Sequence, residues 1–207
     1  MTHICVAIAY TSGFGHTLEF ANSVAGGARA VPETTVDLVD VAAIADAGWT
    51  TLDTADAIIF GTPTYMGSAS GAFHAFAEAT SRPWMQRTWQ DKLAAGFTNS
   101  GSMSGDKLHT LQYLSLLAAQ HGMHWVSLGL LPGWNTTLAS EHDDNRLGFY
   151  LGAGAQSWND QGPDAVHKAD LNTARHLGGR VATVAHTYAA GRDAALAEHA
   201  PMDSKSA

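Results

Sequence analysis

Apolar runs and helix-periodic segments alternate along this chain, with a short turn between each pair. His3 to Ala9 is apolar almost throughout and predicts a buried first strand. Leu18, Ala21, Val24, Ala25 and Ala28 then recur at the 3.6-residue period of a helix from about Thr17 to Ala28, whose end Gly26 and Gly27 weaken. Thr35 to Val41 alternates valine or leucine with aspartate, the pattern of a strand with one polar face near a sheet edge. A short helix or irregular link over Ala42 to Ala47, anchored by Trp49, leads to Ala55 to Gly61, apolar enough to be central.

The same alternation continues. A loop from Thr62 to Ser68 precedes a helix over Ser70 to Thr80, with Phe73, Phe76 and Ala77 facing inward. Leu93 to Thr98 is a fourth strand, Asn99 to Gly105 a loop, Asp106 to Gln120 a helix, and His124 to Gly129 a fifth strand. After a glycine- and polar-rich excursion, Pro132 to Gln161, a last helix covers roughly Pro163 to Ala190. Alternating strands and helices with short connections predict an α/β class, a doubly wound parallel sheet. One domain over residues 1–190 is expected, with 132–161 as a lid or an oligomer contact and 191–207 as a flexible tail.

In such sheets ligands bind at the carboxyl ends of the strands, and three loops leave carboxyl ends here. The first, Tyr10 to Thr17, joins a strand to a helix, where unpaired N–H groups and the helix dipole attract phosphate. A nucleotide-hydrolysing loop needs a lysine after its last glycine, and His16 and Thr17 follow Gly15 instead. A dinucleotide turn needs a glycine where Leu18 stands, although Asp40 imitates its ribose-binding acid. Thr11, Ser12 and Thr17 around small residues suit a terminal monophosphate, as in a flavin mononucleotide (FMN) site; an ordinary Gly/Ser turn has the same composition.

Composition narrows the partners. The 207 residues carry a net charge of −8, which argues against a nucleic-acid or anionic-membrane surface. No apolar run reaches the ~18 residues that span a bilayer, the start lacks a signal peptide's basic region, and one cysteine, Cys5, permits no disulfide framework; a cytoplasmic protein is expected. Eleven histidines invite a metal, yet His-Glu-x-x-His is absent. His121 and His124 have no carboxylate or cysteine at ligand spacing either, so no metal is expected. A serine hydrolase lacks its Gly-x-Ser-x-Gly elbow.

Tyr10 to Thr17 with Glu19, the segment Gly61 to Ser68 with Ser70 and Gly71, Lys92-Leu93, and His121-Gly122-Met123 occur in one order over roughly Ile4 to Gly129, with a weaker echo in Asp170 to Val181. In these the chain resembles the flavodoxin-like WrbA-type NAD(P)H:quinone oxidoreductases. The resemblance implies a single-domain five-stranded sheet of order 2-1-3-4-5, FMN as cofactor, NAD(P)H as co-substrate, a quinone or other small redox acceptor, and a homo-oligomer, dimer or tetramer. It also implies that Ser12, Gly13, Phe14, Gly15, His16 and Thr17 hold the FMN phosphate. Pro63, Thr64, Tyr65, Met66 and Gly67 would pass along the ring edge, and Ser100, Gly101, Ser102, Met103, Ser104 and Gly105 would flank its pyrimidine side.

His121 matches the family histidine near that pyrimidine end, and Trp84 an aromatic contributed across a subunit boundary; both are the catalytic candidates. A histidine at a helix C-terminus also stabilises the dipole with no catalysis, and Trp84 after Pro83 also suits a core plug. The alternative function is an FMN-binding electron carrier without nicotinamide activity. Two departures from the family stand out: Ser102-Met103-Ser104 where relatives are glycine-rich, and the untraceable pattern after Leu131.

Overall fold

Alternate residues of the first strand feed two different cores. In the computed structural model, which describes residues 2–198 and their side chains through 195, Ile4, Val6 and Ile8 of β1 (Ile4–Tyr10) face one side of the sheet and Ala7 and Ala9 the other. The chain continues through α1 (His16–Arg29), β2 (Thr34–Asp40), α2 (Asp46–Thr54), β3 (Ala57–Tyr65), β4 (Ser68–Ala69), α3 (Gly71–Ala79) and α4 (Ser81–Met85). It ends with β5 (Leu93–Ser100), α5 (Lys107–Gln120), β6 (His124–Trp125), β7 (Ala153–Gln156) and α6 (Lys168–Glu198). One core joins β1 to Phe20 and Val24 of α1 and to Leu177 and Val181 of α6. The other packs Phe60 of β3 against Phe73, Trp89 and Leu114.

The parallel order is β2-β1-β3-β5, with β2 at the edge as its aspartates imply. Fifth place is shared. β6 pairs with the start of β5 through Leu93–His124 and Ala94–Trp125, and β7 with its end from Phe97–Ala153 to Ser100–Gln156. This is the flavodoxin-like sheet of order 2-1-3-4-5 with its last strand split by an insertion. The fifth strand expected over His124 to Gly129 therefore keeps two residues in the ladder, because the chain departs after the Val126 N–H donates to Ala94 O.

Three other expectations change. The short helix or irregular link expected over Ala42 to Ala47 is a short turn at Val41–Ala43 followed by a separate helix, Asp46–Thr54, whose Trp49 stacks on Phe76 with ring centroids 5.5 Å apart. Strand β3 runs on through Pro63 to Tyr65, past its last β1 partner at Gly61, where one side asks for no N–H. α1 runs through Gly26-Gly27 to Arg29, one residue past the expected end at Ala28, and Gly27 and Gly178 let α1 and α6 touch, since a Cβ on either would lie 1.8 Å from Arg175 O or 1.9 Å from Val24 O. The last helix starts at Lys168, after a short turn over Pro163–Ala165, and extends to Glu198. The tail expected after Gly191 is thus helical as far as it is described, and 199–207 lie outside the described residues.

The excursion is more structured than its composition suggests. It contains β7, and it is bolted to α6 by a buried pair in which Arg146 Nε and Nη2 donate to Asp170 Oδ1 and Oδ2, each at 2.8 Å. Asp170 Oδ2 also accepts the Gln156 N–H of β7 at 2.9 Å. Among the described residues no helix is long and apolar enough to cross a membrane.

Candidate functional site

The first loop turns because Ser12 folds back on it. Its Oγ accepts the N–H groups of Gly15 at 3.1 Å and Leu18 at 3.2 Å, and Gly15 takes a φ of 90°, open to glycine. The N–H groups of Phe14, His16 and Thr17 donate to no acceptor among the described residues. They sit at the positive end of α1, as an anion-binding helix start requires.

Buried hydroxyls lock the second and third loops to the sheet. Thr11, Thr62 and Ser70 form one cluster with O···O distances of 3.1–3.4 Å, and Ser70 Oγ caps α3 by accepting from Phe73 N. Thr64 Oγ1 meets Thr98 at 2.7 Å and Thr110 at 2.8 Å, tying β3 to β5 and α5. Gly67 O accepts from the His109 ring at 2.7 Å, so Nδ1 carries the proton. A third chain of bonds runs from Thr17 Oγ1 to Asn99 Oδ1 at 2.6 Å and from Asn99 Nδ2 to Ser157 Oγ at 2.9 Å.

These loops surround a cavity of about 990 Å³ at the carboxyl ends of β1, β3 and β5. Of the expected cofactor-binding residues, Phe14, His16, Thr64, Tyr65, Met66, Gly67, Ser100, Gly101, Ser102 and Gly105 line it. Ser12, Gly13, Gly15, Thr17, Pro63, Met103 and Ser104 do not; Thr17 is buried on Asn99, while Met103 is exposed. The fourth wall comes from the end of the excursion, where Ser157, Asn159, Gln161, Gly162 and Pro163 join Asn99. Gln161 O bonds the His16 ring at 3.1 Å, and a Cβ on Gly15 would lie 2.6 Å from Pro163 Cγ. None of these residues was expected in the site; the signal was the turn-forming Gln161-Gly162-Pro163 at the end of the segment expected as a lid or an oligomer contact.

His121 and Trp84 are elsewhere. They line a separate hollow of about 250 Å³ with Ala77, Thr80 and Leu117, which shares no residue with the cavity. His121 lies just before β6 begins, at the amino end of β5. Thr80 Oγ1 donates to Ala77 O at 2.7 Å, so at 2.9 Å it accepts from His121, whose Nε2 therefore holds the proton. Burial keeps the ring's pKa below the ordinary histidine value, and it packs 4.5 Å from the Trp89 ring. For either residue to reach a cavity, a second copy of the chain has to bring it there.

Lys107 was not singled out either. It is fully buried behind the third loop and donates to Ser100 Oγ at 2.7 Å, Met103 O at 3.1 Å and Ser102 O. Glu141, His142 and His167 bring one ligand atom each within 4.8 Å of one another, a grouping hidden from spacing rules by the distance along the chain; none lines the cavity.

The NADPH-dependent FMN reductase family model matches residues 49–131. The chain is 46% identical over 177 residues to flavodoxin FldP of Pseudomonas aeruginosa, covering 86% of this chain and 94% of the relative. It is 32% identical over 201 residues to an NAD(P)H dehydrogenase (quinone) of Geotalea uraniireducens, covering 87% and 97%. A solved WrbA-like flavodoxin from Agrobacterium tumefaciens superposes with a TM-score of 0.71 at 45% identity, over 89% of this chain and 99% of that one.

Proposed function

Because the chain belongs to the flavodoxin-like, WrbA-type flavoproteins, we propose that its cavity holds FMN and that it passes a hydride from NAD(P)H to a quinone-like acceptor in two successive half-reactions. The observation that carries this reading is the set of unpaired Phe14, His16 and Thr17 N–H groups beside the cavity that the other two loops border. These donors fit a phosphate monoester, and a cavity near 990 Å³ admits a tricyclic ring with room for a second planar molecule. When bound, FMN supplies the two-electron chemistry.

The chain's own residues bind, orient and shield. The α1 start holds the phosphate end. Thr64 to Gly67, fixed by the Thr98 and Thr110 hydroxyls, border one ring edge, and Ser100, Gly101, Ser102 and Gly105 the other. Tyr65 and Met66 are exposed at the mouth and leave a face open to a flat substrate. Trp84 and His121, from another subunit of a dimer or tetramer, would complete that face. Relatives named NAD(P)H dehydrogenase (quinone) that match over nearly their whole length support the enzyme reading. The 46% identical relative named a flavodoxin favours a second reading, an FMN-binding electron carrier without nicotinamide activity.

One titration separates them. FMN-reconstituted protein is titrated anaerobically with NADH and then NADPH while the visible flavin band is followed. Bleaching, with recovery on adding benzoquinone, is the expected result. Bound FMN that neither nicotinamide bleaches leaves the carrier, and protein that takes up no FMN removes both readings.

A further inference from the structure

Lys107 is a fully buried cation whose hydrogen-bond partners all belong to the third loop, part of which forms one wall of the cavity. Ser100 and Ser102 line that wall, so the ammonium sits directly behind it. It draws the carbonyls of Ser102 and Met103 inward. Because each peptide is planar and trans, the Met103 and Ser104 N–H groups then point away from the ammonium. Neither has an acceptor among the described residues. The other charges acting on Lys107 are Asp170 of α6 and Arg146 of the excursion, which pair with each other at 2.8 Å, while its chain neighbour Asp106 is exposed. Lys107 therefore contributes an unneutralised positive charge to this wall.

We infer that Lys107 is a positioning residue of the redox site: it shapes the third loop around one buried cation and biases a flavin held against that loop toward its reduced, negatively charged form. This rests on the FMN reading above. Two electrons and one proton, delivered by dithionite and water or together as a nicotinamide hydride, convert neutral oxidised flavin into reduced flavin bearing one negative charge. That added charge is what the ammonium favours. Burial lowers the Lys107 pKa to about 8, with Arg146 acting in the same direction and Asp170 against it. Reduction beside it raises that pKa again, so the midpoint potential falls more steeply with pH just above pH 8 than below it.

The test uses FMN-reconstituted wild-type protein, Lys107→Gln and Lys107→Arg. The dissociation constant of oxidised FMN is measured by titrating FMN with apoprotein and following flavin fluorescence, and the two-electron midpoint potential by anaerobic dithionite reduction against a reference dye, both from pH 6.5 to 9.5. Lys107→Gln is expected to weaken reduced FMN at least about tenfold more than oxidised FMN, a potential about 30 mV lower. Lys107→Arg, always charged, should keep the wild-type potential at pH 7 and lose the steeper region. A wild-type potential and pH profile in Lys107→Gln would overturn the inference while leaving FMN binding intact. If Lys107→Gln does not fold, a wild-type profile with no steepening above pH 8 overturns it equally. Failure of the wild-type protein to bind FMN removes the functional reading first, and this inference with it.

Discussion

His121 has one ring proton to give and spends it on Thr80. The sequence offered two readings of it, a flavin-side donor and a helix-end histidine, and the structure places it as the C-terminal cap of α5 with its ring against Trp89. Its pKa in the fold lies below the ordinary value of 6.5 because burial disfavours the charged ring. Between those two values the unfolded chain binds more protons, so this residue's contribution to stability is present above pH 6.5 and is lost as pH falls through the folded value. The gap in melting temperature between wild type and His121→Gln should therefore shrink from pH 7.5 to pH 5; parallel curves would refute it. Lys107 went unnoticed for a related reason. A lysine in the first turn of a helix looks solvated in sequence, and only the loop folded over it makes it a buried cation.

At the scale of elements, periodicity located α1 but gave no reason for its glycines. Read alone, Gly26-Gly27 weakens a helix; against α6, Gly27 and Gly178 are what permit backbone contact. Gly178→Ala is expected to lose about 1–3 kcal/mol in urea unfolding through overpacking. Gly191→Ala, in the same helix with nothing within 4 Å of the added Cβ, should be neutral or gain up to about 1 kcal/mol from helix propensity. Equal effects at the two sites would sink the close-contact explanation. The fifth strand was half legible: the apolar run at His124 to Gly129 marked where the sheet ends. No local pattern showed that Ala153–Gln156 completes that position, since four small or polar residues carry little strand signal.

For the whole molecule, the Arg146–Asp170 pair decides whether the cavity has its fourth wall. It joins the excursion to α6 and, through the Gln156 N–H, to β7, which leads directly into Ser157. Removing one partner leaves a buried charge uncompensated, so Arg146→Met should cost about 3–5 kcal/mol, whereas Arg146→Met with Asp170→Leu should recover much of it. FMN affinity is expected to follow, because Ser157 holds Asn99 and Gln161 bonds His16. A single variant with near wild-type stability in urea would show that the pair does not hold the wall. The two residues are 24 positions apart, and no spacing rule links them.

The pattern along the chain was enough to determine the alternation of strands and helices, the edge position of β2 and the convergence of three loops. Each follows from local periodicity and from the shared direction of parallel strands, which puts every strand-to-helix turn at one end of the sheet. Tertiary structure alone decided which loop residues line the cavity, that the excursion closes it, that Lys107 lies buried behind it, and that His121 with Trp84 lies apart from it in a single chain. Those outcomes depend on pairings between side chains far apart in sequence, such as Thr17 with Asn99 and Arg146 with Asp170, and the identity of a residue does not carry the address of its partner.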